Sequence, residues 1–133
     1  MTTHAKFDLR GMAEYLEAIQ QAGLDIDAAA QRALMKGGAV LEAEMDHLVP
    51  VESGDLKKAI KIDGPHQDGN FSFVEVGVVN ADREVAIYGN VQEYGSPSKH
   101  IKAQPYIRPA IDGRKAAVKR AIRESLKAEG FVD

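Results

Sequence analysis

The sequence predicts an α+β fold: two N-terminal helices and a long C-terminal helix packed on a small, mostly antiparallel sheet. Three observations carry this reading. Apolar residues recur at helical spacing before Pro50 and again after Tyr106. Between these stretches, Val74, Val76 and Val78 alternate with other residues, as in a strand with one buried face. Clusters of Gly, Pro, Asn and Asp separate the segments. A length of 133 residues favours one domain, residues 1–133.

The elements follow in order. Residues 5–10 read as a short extended lead-in, with Phe7 and Leu9 on one side. Met12, Tyr15, Leu16 and Ile19 then share a helical face, and Gly23 is placed to end that helix. A second helix is expected from about Ile26 to His47. Asp25 suits its N-cap, Asp27 the positive end of its dipole, and Pro50 its stop. Ile26, Ala30, Leu34, Gly37, Leu41, Met45 and Leu48 form its apolar stripe. The Gly37-Gly38 pair inside this helix costs about 1 kcal/mol per glycine relative to alanine. It marks either a kink that packing tolerates or close backbone approach by another element, including another subunit.

Beyond Pro50, Ser53 suits the cap of a short helix whose Leu56, Ala59 and Ile60 point inward. Residues 61–63 begin an extended segment, and residues 64–70 read as a turn by composition. Phe71 to Val79 is the clearest strand. Its second face, with Phe71, Phe73, Glu75, Gly77 and Val79, is only partly apolar. Another strand is expected over Val85-Ala86-Ile87-Tyr88, and residues 89–95 suit strand or short helix equally. Residues 96–103 read as a flexible loop. The last helix is expected from about Tyr106 to Glu129, striped by Ile107, Ile111, Val118, Ile122 and Leu126 and ended by Gly130. Lys115, Lys119, Arg123 and Lys127, spaced by four, line up as a basic ridge.

Composition narrows the function classes. The chain has no cysteine, which excludes disulfides, thiolate metal sites and a cysteine nucleophile. It has no tryptophan and only 6% aromatics, so its core rests on aliphatics and alanine. A net charge of −3 argues against a dedicated nucleic-acid binder. The charge is uneven: residues 106–129 carry seven Lys/Arg against three Asp/Glu, a basic arm on an acidic body. No apolar run approaches the roughly 18 residues that span a bilayer. With no signal-type stretch after Met1, the expected location is the cytoplasm or something assembled there.

No constellation for catalysis or cofactor binding emerges. His4, His47, His66 and His100 fit no ligand spacing. Ser53-Gly54-Asp55 lacks the nucleophile-elbow glycines, and there is no phosphate-binding glycine loop. Glu42, Glu44, Asp46 and Glu52 read as a solvated acidic face that suits the basic ridge within or between subunits. Glu93 and Arg108 differ, because each is flanked by apolar, Gly or Pro residues. A half-buried carboxylate and guanidinium are tolerated when paired. The two are therefore expected to form an ion pair that docks residues 91–95 on the start of the last helix.

Four segments together resemble one family. They are Leu9-Arg10-Gly11-Met12 before an amphipathic helix, the stretch Val49-Pro50-Val51-Glu52-Ser53-Gly54-Asp55-Leu56 running on to Ile60, Val91-Gln92-Glu93-Tyr94-Gly95-Ser96, and Gln104-Pro105-Tyr106-Ile107-Arg108-Pro109-Ala110. In this order they are similar to the small tail components of HK97-type tailed phages, the gene-product-10-like tail-completion or head–tail joining proteins. Two positions depart from the family pattern. The family usually has Tyr-Ala where this chain has Tyr88-Gly89, and more commonly Phe where it has Tyr106, whose hydroxyl needs a partner or solvent.

The resemblance implies a structural virion protein of the neck, without catalysis or cofactor, made in the host cytoplasm. It implies a homo-oligomeric ring, commonly of six, that caps the tail tube or its terminator and meets a head-closure or connector protein. DNA would pass through its lumen without sequence-specific contact. Glu93, Tyr94, Tyr106, Arg108, Gly37, Gly38, Lys115, Lys119 and Arg123 are the expected subunit or partner contacts. The alternative is a nucleic-acid-associated module that binds phosphates through the basic C-terminal helix.

Overall fold

A computed structural model describes residues 3–8, 26–51, 54–69 and 71–132, with side chains from Asp27 onward. The helix expected over residues 12–23, its Gly23 end, and the Asp25 and Ser53 caps lie outside these residues. The described elements are β1 (Thr3–Asp8), α1 (Ile26–Leu48), α2 (Asp55–Ala59), β2 (Ile60–Asp68), β3 (Phe71–Val78), α3 (Arg83–Tyr94) and α4 (Arg108–Ala128), with a short 3-10 turn at Pro97–Lys99. The α+β expectation holds. The sheet has order β1-β3-β2 and is antiparallel throughout.

Helix α1 is the middle layer, and its composition explains how. One side meets the sheet and the other meets α4. A helix covered on two sides needs more than one apolar stripe. Ala29, Ala30, Ala33, Leu34, Leu41 and Met45 are all buried, as are Gly37 and Gly38. A Cβ on Gly37 would lie 2.9 Å from Ile122 Cγ1 of α4, and one on Gly38 would lie 3.4 Å from Ile62 Cδ1 of β2. The glycine pair therefore lets α4 and the sheet approach from opposite sides. The close approach seen here comes from elements of the same chain, and both glycines are buried. Leu48 leaves the expected stripe and is 36% exposed, because the chain turns there and buries Val49 instead.

Strand β3 presents Val74, Val76 and Val78 to the core, as its alternation predicts. Ile62 pairs with Val76 and Ile60 with Val78. The expected turn at residues 64–70 is different in the structure. Strand β2 runs on to Asp68, with a register shift between Asp63 and His66. A bulge absorbs Gly64-Pro65 without ending the strand, since a proline is tolerated where the ladder is interrupted. On the outer face the His66 ring lies 5.1 Å from Phe73, and His66 Nε2 is 2.9 Å from Asp63 Oδ2.

The strand expected at Val85–Tyr88 is a correction: these residues belong to helix α3. Ala86, Gly89 and Glu93 are its buried positions, spaced by three and four, while Ile87 is 47% exposed. Burial follows the helical period even though the β-branched residues suggest a strand. Helix α4 packs through Ala110, Val118, Ile122 and Leu126. It ends as Gly130 predicts. Gly130 N–H donates to Lys127 O at 3.0 Å and Phe131 N–H to Leu126 O at 2.9 Å, with Gly130 at φ +83°. This is the Schellman closure, and Phe131 and Leu126 join the core beneath it.

Candidate functional site

The first turn of α4 has free N–H groups and no capping side chain of its own. Its N-cap position is Ile107, which makes no side-chain cap. Ser, Thr, Asp or Asn would normally accept from these donors. Here Glu93 of α3 does so. Its Oε1 accepts from the Tyr106 and Ile107 N–H groups, both at 2.8 Å. Its Oε2 accepts from the Arg108 N–H at 3.1 Å and from Arg108 Nε at 2.8 Å.

The expected Glu93–Arg108 ion pair is thus formed, and it has a second half. Arg108 Nη2 donates to the Glu93 backbone carbonyl at 2.6 Å. That carbonyl lies in the last turn of α3, where helix acceptors are unfilled and the dipole is negative. Each side chain therefore caps the other's helix. The guanidinium also sits 4.8 Å from the centre of the Tyr94 ring. Burial tends to raise the Glu93 pKa. The donors from Ile107, Arg108 and Tyr106 outweigh it, and the carboxyl lies below its ordinary range.

The segment between the two motifs was expected to be a flexible loop, and instead it is internally bonded. Ser96 and Ile101 exchange two backbone hydrogen bonds of 2.9 Å around the Pro97–Lys99 turn. Gly95 lies so close to the returning strand that a Cβ there would be 2.9 Å from Ala103 N. Gln104 N–H donates to Gln92 O at 2.7 Å, which closes the base of the loop.

Tyr106 and Gly89 explain each other. Tyr106 is fully buried, and its hydroxyl donates to the Gly89 carbonyl at 3.2 Å. A Cβ at position 89 would lie 2.8 Å from that hydroxyl and 2.9 Å from Leu56 Cδ1. The glycine thus leaves the room that the Tyr106 hydroxyl occupies. Burial, then the charges of Glu93 and Tyr94, push the Tyr106 pKa above the ordinary tyrosine range.

The residues singled out in the sequence divide cleanly by exposure. Glu93 and Tyr106 are wholly buried, and Gly37 and Gly38 are buried too. Glu93 and Tyr106 hold the surface in place. Tyr94, Arg108, Lys115, Lys119 and Arg123 are exposed. Among the described residues, the acidic face meets α4 within the chain through Glu44 and Arg114, at 3.9 Å. Sequence reasoning found the ion pair and missed the reciprocal caps. The available signal was Ile107, a residue that cannot cap, at the start of a helix.

Among the described residues no three His, Asp or Glu side chains gather to hold a metal ion, and no helix is long and apolar enough to cross a membrane. What the fold builds at this position is a braced surface. A family model described as "Bacteriophage HK97-gp10, putative tail-component" matches residues 10–95, more than half of the chain. The chain belongs to this family of phage tail components. The matched span includes Glu93, while the Arg108 segment lies beyond it. No curated protein and no solved structure gave a match.

Proposed function

We propose that the chain is a tail-completion or head–tail joining protein. It forms a homo-oligomeric ring, on the scale of a hexamer, between the tail tube or its terminator and the head-closure connector. Subunits are made in the host cytoplasm and function in the virion neck, with DNA passing through the lumen. The observation that carries this reading is the reciprocal capping of α3 and α4 in a chain of the tail-component family. It fixes an exposed Tyr94–Arg108 surface.

The test is electron microscopy of particles from a phage lacking this protein. Filled heads beside unjoined tails are expected, and normally joined virions would refute the proposal. The basic ridge of α4 supports the second reading, nucleic-acid binding, because Lys115 and Lys119 are exposed. That reading requires DNA affinity that falls steeply with salt.

A further inference from the structure

Helix α4 packs on α1, with Val118, Ile122 and Leu126 buried along its length. Away from those positions Lys115, Lys119, Arg120, Arg123 and Lys127 are all exposed. Residues 112–127 carry six Lys/Arg against two Asp/Glu, Asp112 and Glu124, whereas the rest of the chain carries eleven against eighteen. Arg114 reaches Glu44 at 3.9 Å. Lys115, Lys119, Arg120 and Lys127 make no ion pair among the described residues.

A positive helix face on a negative chain suits an anion, and two features narrow which one. None of the exposed large apolar side chains among the described residues lies on α4. A protein partner uses aromatic or aliphatic anchors at the centre of its contact. A phosphate backbone needs only cations. Helix α4 also contains no aromatic residue on which an unpaired base could stack. The face therefore fits duplex DNA. Lys115 to Lys127 span about 18 Å of helix, a length over which the duplex presents about ten phosphate charges. Such a row meets phosphates at any rotation of the duplex, so it reads no base sequence and lets DNA slide.

We propose that the outer face of α4 lines the lumen of the ring and touches the backbone of duplex DNA in transit. The proposal rests on the ring reading above and adds the face that meets the DNA. It differs from the second reading, in which the isolated chain binds nucleic acid by itself. Each copy contributes few cations, and the acidic remainder of the chain keeps the affinity of one copy low. The ring repeats the contact around the duplex. Weak contact without sequence preference guides DNA through a channel and does not hold it there.

Because the chain has no cysteine, one introduced cysteine carries a photoactivatable cross-linker to a chosen face. Lys119→Cys and, separately, Arg120→Cys place it on the ridge. Lys61→Cys, an equal change of charge at an exposed position of β2, places it on the sheet. The full-length variants are built into joined particles and irradiated at rest and during DNA ejection. Cross-linking to DNA about tenfold greater from positions 119 and 120 than from 61 is expected. Adding Lys115→Glu and Lys127→Glu should cut the yield from position 119 about threefold or more, since two phosphate contacts are lost. Both lysines are exposed, so the fold should be retained, which thermal melting checks. Joined particles that contain either ridge variant and give no DNA cross-links in both states overturn the assignment and leave the ring reading standing. Equal yields from the ridge and from position 61, or a yield indifferent to the charge reversals, also overturn it. Cross-links from the ridge to protein in place of DNA reassign the face to a protein partner. Normal virions without the protein overturn the ring reading itself.

Discussion

Gly89 and Tyr106 should behave as one unit in a double-mutant cycle. Gly89→Ala places a methyl 2.8 Å from the Tyr106 hydroxyl and 2.9 Å from Leu56 Cδ1. The leucine end can give way, but the tyrosine is fully buried and fixed by its hydrogen bond. Overpacking of this kind costs about 1–3 kcal/mol, and the better helix propensity of alanine returns about 1 kcal/mol. A net loss of up to about 2 kcal/mol is expected. Tyr106→Phe removes one neutral buried hydrogen bond, worth about 0.5–1.5 kcal/mol. In the double variant the methyl occupies the space the hydroxyl vacates, so stability should return to within about 1 kcal/mol of the parent, a coupling of about 1–2 kcal/mol. Urea unfolding midpoints at constant m-value measure all four corners. Additivity to within about 0.5 kcal/mol would refute the claim that the two positions adjust to each other.

Other expectations concern the latch and the central helix. Glu93→Ala leaves the buried Tyr106 and Ile107 N–H groups without an acceptor, each worth about 1–3 kcal/mol, so chemical denaturation should show a loss of at least about 2 kcal/mol. Arg108→Ala should cost less, about 1–3 kcal/mol in the same assay, because the guanidinium is half exposed and the carboxylate keeps its backbone donors. Because the folded Glu93 pKa lies below its ordinary value of 4.5, the unfolded chain binds this proton more readily. The stabilisation is therefore whole above about pH 4.5 and is lost as pH falls through the folded value, so between pH 7 and 3 the parent should lose more stability than Glu93→Gln. Gly37→Leu should be far more damaging than Gly37→Ala in thermal melts, since even a methyl there meets Ile122 at 2.9 Å.

Helices α1 and α4 and strand β3 were legible because a strong period coincides with an unambiguous stop. Pro50 follows α1, Gly130 follows α4, and three valines alternate along β3. Helix α3 was not legible because its buried face consists of Ala86, Gly89 and Glu93, which no hydrophobic pattern registers. Its exposed Ile87 and half-buried Val85 supplied a β-like composition on the wrong positions. Gly64-Pro65 misled in the opposite sense, since turn-forming residues also make bulges. The Glu93–Arg108 pair was legible because isolated charges among apolar residues must find partners. Its four-donor geometry depends on where α3 meets α4, which is tertiary information.

The latch bears on the recognition surface proposed at residues 94–108, most of which lie in a loop. A free loop must be ordered on binding, at about 0.5–1.5 kcal/mol for each immobilised side chain that had rotamers to lose. Here the base is fixed before any partner arrives, by Gln104 to Gln92 and by Glu93 to three successive backbone N–H groups. Arg108 is held at both ends of its guanidinium contact, to the Glu93 carboxylate and the Glu93 carbonyl, and Tyr94 lies against it. The carboxylate is buried, yet its removal frees the arginine, the tyrosine and the loop together. Glu93→Gln should therefore weaken assembly more than its loss of fold stability accounts for. Equal assembly by Glu93→Gln and the parent at matched folded fraction, measured by particle joining, would show that the latch serves the fold alone.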